Sequence, residues 1–278
     1  MDAAVAPDGK FVVAGGLSTY YLEAGSGPPV VLVHGGGAGA DAQGNWTGTI
    51  ACLADRYKIF APDMVGFGRS EKPPGEDFQY SQAEREAHLA AFIDALGVGP
   101  VALVGNSMGG LTALGVACDR PDLVSSLVLM GSAGLPVPMS PQLHAIIEYD
   151  FTESGMQRIV EALTGPDFVA AEGMVEYRHA LSVEPGARQA YKRITDWQKA
   201  NGGLLAGEAR IAAVRCPTLV VAGKEDGVVP VANAYRFLEL MRDSWGVVIP
   251  RCGHWPMIEY PELFAAIVDE FVQQVEPV

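Results

Sequence analysis

No stretch of this chain approaches the roughly 20 consecutive apolar residues that a membrane-spanning helix needs, so none is expected. Positive charge is scarce. The 19 Lys and Arg residues face 33 Asp and Glu, for a formal net charge of −14, and the acidic residues are scattered rather than run together. There is no basic stripe, which argues against nucleic-acid and anionic-membrane partners. A positive pocket inside an acidic protein stays open, so an anionic substrate is still allowed. Cysteine is sparse and unpatterned. Cys52, Cys118, Cys216 and Cys252 form no Cys-x-x-Cys pair and have no nearby histidine spacing for zinc. They are expected to be buried free thiols, and no metal or organic cofactor is implied. Met1 to Val5 lack the basic flank and apolar core of a signal peptide, so a cytoplasmic location is expected.

Apolar residues, by contrast, are plentiful. They make up 49% of the 278 residues, enough for one large α/β domain or a core with an inserted lid. Lys10–Val13 and Ser18–Leu22 read as a hairpin around Gly15-Gly16. Val30–His34, Lys58–Ala61, Val101–Gly105, Leu127–Met130, Thr218–Ala222 and Gly246–Ile249 read as strands. They lack polar alternation, which suits strands buried on both faces of a mostly parallel sheet. Helices are expected over Ser81–Leu96, Met108–Cys118, Val231–Met241 and Pro261–Val272. The alternation calls for a doubly wound α/β sheet. It breaks between about Ala133 and Arg210, where short helical segments carry Ile146, Tyr149, Phe151, Met156 and Trp197. The expected division is a core of residues 1–132 and 211–278 with a helical lid at 133–210; a second independent domain is the alternative.

Gly105-Asn106-Ser107-Met108-Gly109-Gly110 follows the buried run Val101–Val104 and opens a helix. A serine on so tight a strand-to-helix turn has its hydroxyl lifted above the sheet, and small residues two before and two after it avoid collision. Ser107 is therefore the candidate nucleophile. It needs a base, and His254, just past the last expected strand, is the best placed of the five histidines. His88, His144 and His179 fall on expected helices as surface or lid residues, and His34 is expected to hold its glycine-rich loop by hydrogen bonds. The base needs an orienting carboxylate. Asp226 follows a strand, with Glu225 as a competitor, while Asp63 is expected to brace the loop Val65–Ser70. The order Ser107, Asp226, His254 is that of α/β-hydrolases. Oxyanion donors are expected from the backbone N–H groups of Met108 and of Gly36, within His34-Gly35-Gly36-Gly37.

The chain resembles the α/β-hydrolase superfamily over nearly its whole length. His34–Ala40 followed by Gly44-Asn45-Trp46, the elbow Gly105–Gly110 and Cys252-Gly253-His254-Trp255 are similar to motifs of the meta-cleavage product hydrolases. That resemblance implies hydrolysis of a carbon–carbon bond in 2-hydroxy-6-oxohexa-2,4-dienoates. It implies Gly35, Asn45, Asn106 and Trp255 around the dienoate, and Arg178 as the lid arginine on the substrate carboxylate. Pro256–Glu259 departs from the polar or aromatic stretch of several members. The group on C6 is left open between aryl and alkyl. A small-molecule dienoate is the expected partner, and a homodimer is allowed. An ester or lactone hydrolase is the main alternative, and a ligand-binding receptor on the same fold is the other. Haloalkane dehalogenases and epoxide hydrolases of this fold use an aspartate nucleophile, which Ser107 argues against.

Overall fold

Gly15 and Gly16 reverse the chain at positive φ, 57° and 86°, and so join strands β1 (Asp8–Ala14) and β2 (Leu17–Ala24) as an antiparallel hairpin. The computed structural model describes residues 7–74 and 78–275; the signal-peptide reading of Met1 to Val5 lies outside them. The remaining strands are β3 (Pro29–Val33), β4 (Lys58–Pro62), β5 (Val101–Asn106), β6 (Val124–Met130), β7 (Thr218–Gly223) and β8 (Ser244–Ile249). They form an eight-stranded sheet in the order β1-β2-β4-β3-β5-β6-β7-β8. From β4 to β8 every neighbouring pair is parallel. Each residue of β5 and β7 is buried, as strands covered on both faces require. The chain has an α/β-hydrolase fold with a mostly parallel sheet.

The helices beside the sheet start and stop for local reasons. Helix α2 (Gln82–Leu96) has a capping box between Ser81 and Glu84 and ends at Gly97 in the left-handed region. It packs with α3 (Met108–Asp119), while α1 (Ala42–Leu53) packs with the C-terminal helix α11 (Pro261–Val275). Helix α1 was not expected. Gly44-Asn45-Trp46, read as an extension of the glycine-rich loop, instead occupies its first turns. Asp41 caps it by accepting the Gly44 N–H at 2.7 Å.

Between β6 and β7 the chain forms helices α4 (Pro141–Ile147), α5 (Glu153–Leu163), α6 (Met174–Ser182), α7 (Ala187–Ala200) and α8 (Glu208–Ala212). The expected boundary at residue 210 falls inside α8. Gly134 N–H donates to Leu204 O and Ala206 N–H donates to Gly134 O, at 3.0 and 2.9 Å. The chain just after β6 is therefore bridged to the chain just before α8. Beyond β7 come α9 (Val231–Leu240) and α10 (Pro256–Glu259).

Two smaller expectations are corrected. His88 is buried, with Nε2 2.8 Å from Thr19 Oγ1, because α2 presses that face against β2. Of the cysteines only Cys252 is buried; Cys52 is exposed on α1, and Cys118 and Cys216 are half-buried.

Candidate active site

Ser107 joins β5 to α3 with φ 55° and ψ −119°, a strained backbone for a residue with a side chain. The turn needs glycine on both sides. A Cβ on Gly105 would lie 2.5 Å from Gly109 O, and one on Gly109 would lie 2.4 Å from His34 O. Ser107 N–H donates to Met130 O at 3.0 Å, which pins the turn to the end of β6. Met108 begins α3, so its N–H belongs to the electropositive end of that helix. The loop after β3 lies against this turn. A Cβ on Gly36 would come 2.7 Å from Met108 Sδ, and one on Gly35 would come 2.7 Å from Asn106 Oδ1 and 3.3 Å from Ser107 Cβ.

His34 shapes that loop from below. Its Nε2 accepts the Met64 N–H at 2.9 Å, so Nδ1 carries the proton that is donated to Gly35 O at 2.7 Å. Burial pushes the imidazole down to about 4, which keeps it neutral. Asp63 accepts the N–H groups of Ala42 and Arg69, each at 2.7 Å, and so ties the start of α1 to the loop Val65–Ser70.

Past β7, Asp226 turns inward while Glu225 faces solvent. Asp226 Oδ1 accepts the N–H groups of Val228 and Val229, both at 2.8 Å, and Oδ2 accepts from His254 Nδ1 at 2.7 Å. That donation fixes the tautomer and leaves His254 Nε2 able to accept a proton. Ser107 and His254 line one cavity. Among the described residues no hydrogen bond joins Ser107 Oγ to His254, a separation common in resting sites that tighten on their substrate. Sequence reasoning missed what holds the histidine loop. Glu259 accepts the N–H groups of Gly253 and Gly165, at 2.9 and 2.7 Å, and His254 N–H donates to Leu163 O at 2.9 Å. Its one trace in the sequence was the departure at Pro256–Glu259.

Asn106, fully buried beside the serine, donates Nδ2 to Met130 O and His254 O at 3.1 and 3.3 Å, while its Oδ1 has no partner among the described residues. Arg178, on α6, is 2% exposed. Its Nη2 donates to Asn45 Oδ1 at 3.0 Å, and its guanidinium stacks 4.2 Å from the centre of the Trp255 ring. Burial lowers its pKa to about 10, opposed by the field of Asp41. No carboxylate pairs with it among the described residues. Helix α6 reaches this position because Gly39, at φ 68°, lets the Arg178 carbonyl approach where a Cβ would lie 2.0 Å away. The neighbouring Tyr177 hydroxyl donates to Asp41, a contact that sequence reasoning also missed.

Two chambers meet at Ser107. One, of about 70 Å³, is walled by Asn45, Asn106, His254 and Trp255. The other, of about 410 Å³, is walled chiefly by apolar side chains such as Leu135, Val137, Met139 and Val229. A wider groove of about 740 Å³ on α5 and α6 includes none of Ser107, Asp226 or His254.

Residues 28–261 match the family described as alpha/beta hydrolase fold. The chain belongs to the α/β-hydrolase fold family. Within this family it is 49% identical, over 95% of its length and 91% of the relative's, to 2-hydroxy-6-oxo-6-(2'-aminophenyl)hexa-2,4-dienoic acid hydrolase of Metapseudomonas resinovorans. It is 34% identical to 2-hydroxy-6-oxo-2,4-heptadienoate hydrolase of Pseudomonas putida, over 95% of this chain and 96% of that one. Its structure resembles that of a serine hydrolase involved in carbazole degradation, with a TM-score of 0.90 and 48% identity. That match covers 97% of this chain and 100% of the other.

Proposed function

We propose that this enzyme is a meta-cleavage product hydrolase. It breaks the C5–C6 bond of 2-hydroxy-6-oxohexa-2,4-dienoates, releasing a 2-hydroxypenta-2,4-dienoate and the carboxylic acid built on C6. The observation that carries the reading is Arg178. A guanidinium buried without a counter-ion is unfavourable by several kcal/mol unless something anionic joins it. A dienoate brings a carboxylate, whose two oxygens fit the guanidinium fork. A simple ester brings none. The identity to named dienoate hydrolases supports the same conclusion.

In this reading the substrate carboxylate points toward Arg178 and Asn45, with the dienoate chain against Trp255. Asn106, which lines the smaller chamber, lies beside the dienol portion. The C6 carbonyl lies at Ser107, its oxygen toward the N–H groups of Gly36 and Met108, and the C6 substituent enters the apolar chamber. Carbon–carbon cleavage first needs an electron sink. The 2-hydroxyl gives up its proton as C5 gains one, which converts the dienol to a ketone conjugated with C3–C4. His254, oriented by Asp226, carries that proton. Ser107 then adds to C6, directly or through a water that it helps activate. The C5–C6 electron pair moves into the ketone system as the bond breaks; on the direct route one water then displaces the Ser107 oxygen from C6 to give the acid, and on the water route the acid forms as the bond breaks. Residues 133–210 act as a lid over the core formed by 1–132 and 211–278, and the enzyme works in the cytoplasm on a small dienoate. No helix among the described residues is long and apolar enough to cross a membrane.

The test is optical. Purified enzyme should bleach the yellow colour of 6-aryl and 6-alkyl dienoates and act far more slowly on p-nitrophenyl esters. Rapid ester turnover with no bleaching would replace this reading by the esterase or lactonase alternative.

A further inference from the structure

Apart from Ser107, the apolar chamber contains one polar side chain, Gln198, that has no partner among the described residues. Tyr191, Thr195 and Gln198 all line the smaller chamber, the one that Asn45, Asn106 and His254 also wall. Their spacing of four and then three residues places them on one face of α7. Two of the three are already engaged: Tyr191 donates its hydroxyl to Ile146 O at 2.7 Å, and Thr195 donates to Lys192 O at 2.9 Å. The side-chain amide of Gln198 hydrogen-bonds to no described residue. Gln198 also lines the apolar chamber, so it stands at the junction of the two, as Ser107 does. The other polar side chains of the apolar chamber, Glu148 and Lys199, are half-exposed and paired with each other at 2.7 Å.

We infer that Gln198 is a specificity-determining residue, which hydrogen-bonds a polar group carried next to the attachment point on a 6-aryl substituent. This rests on the dienoate reading above, which puts C6 at Ser107 and its substituent in the apolar chamber. A primary amide both donates and accepts, so an ortho amine or an ortho hydroxyl satisfies it equally. Position argues for ortho. The atoms nearest C6 lie at the junction, beside Gln198. A para group would project away from it, toward Met139 and Leu205. With a bare phenyl ring the amide would lie against an apolar surface and lose contact with water, which disfavours that substrate relative to the substituted one.

The experiment compares kcat/KM, followed by bleaching, for three dienoates bearing 2'-aminophenyl, 4'-aminophenyl and phenyl on C6. Wild type should prefer the 2'-amino compound to phenyl. In Gln198→Met, which keeps the length and removes the amide, that preference should fall about five- to tenfold, the size of one neutral hydrogen bond of about 1 kcal/mol. The ratio of 4'-amino to phenyl should stay within about twofold. Gln198→Asn, whose amide is one methylene shorter, should retain part of the preference. A parallel equilibrium measurement uses the acids released at C6: 2-aminobenzoate should inhibit wild type more tightly than benzoate, and Gln198→Met should narrow that gap. Unchanged ratios in bleaching and inhibition would overturn the role of Gln198 while leaving the dienoate reading intact. Wild type that bleaches none of the three would overturn the dienoate reading itself.

Discussion

Arg178 is a buried guanidinium with no paired carboxylate among the described residues. Among the described residues its side-chain partners are a neutral amide and an aromatic ring, neither of which neutralises it. Replacing it with Met keeps much of the volume and removes the charge. Charge-assisted hydrogen bonds contribute about 1.5–3 kcal/mol, so Arg178→Met should raise KM for a dienoate by roughly 10- to 100-fold. Steady-state kinetics on a dienoate and on a neutral p-nitrophenyl ester separate the two roles, because the ester loss should be at least about tenfold smaller. Equal losses would make Arg178 a structural residue. Ser107 is tested more simply. Ser107→Ala should lower kcat by at least about 10³-fold, as loss of a nucleophile acting in concert with its base does. Near-normal turnover measured under saturating dienoate would remove Ser107 from the mechanism.

At the scale of elements, the site depends on how α6 is held against α1. Tyr177 and Arg178 are consecutive, and they engage Asp41 and Asn45 at the start of α1. Tyr177→Phe would leave one oxygen of the buried Asp41 without its donor, while the other still caps Gly44. The expected loss is about 1–3 kcal/mol of stability by urea unfolding, together with a higher KM for the dienoate as α6 loosens. A stability loss with KM unchanged would detach the latch from substrate binding. The sequence made much of this arrangement legible, but unevenly. Strands β3, β5, β6 and β7 each contain an unbroken run of four apolar residues, and the turn at Ser107 is marked by glycines whose positions sterics require, so the centre of the sheet and its serine could be read directly. Helix α1 was hidden because Gly44 and Gly48 interrupt a helix of only 12 residues. Its signals were the Asp41 cap and the spacing of Trp46, Ile50 and Leu53, all buried. The contact of Tyr177 and the placement of Gln198 had no local signature, since each depends on where a helix docks rather than on its own sequence.

Across the whole molecule, acid acts in opposing directions. Protonating carboxylates relieves the self-repulsion of a chain with a net charge of −14. Asp63, pushed up to about 7 by burial, takes up its proton in the folded protein earlier than in the unfolded chain. That favours the folded state as pH falls. Two buried histidines work against it. Burial holds His34 and His88 down to about 4, below the ordinary 6.5. Between those values the unfolded chain binds protons that the folded protein refuses. Their contribution to stability is therefore complete above about pH 6.5 and is lost as pH falls through about 4. Each histidine changes the slope by up to about 1.4 kcal/mol per pH unit within that window. The total slope mixes these opposing groups, but a difference isolates one of them. His88→Gln retains a polar partner for Thr19 and cannot titrate. Urea unfolding from pH 7 to 4.5 should show wild type losing stability faster than His88→Gln, with the gap in slope approaching that value near pH 5. Parallel curves would mean that His88 is protonated in the folded protein as readily as in the unfolded chain, and that the contact between α2 and β2 does not exclude charge.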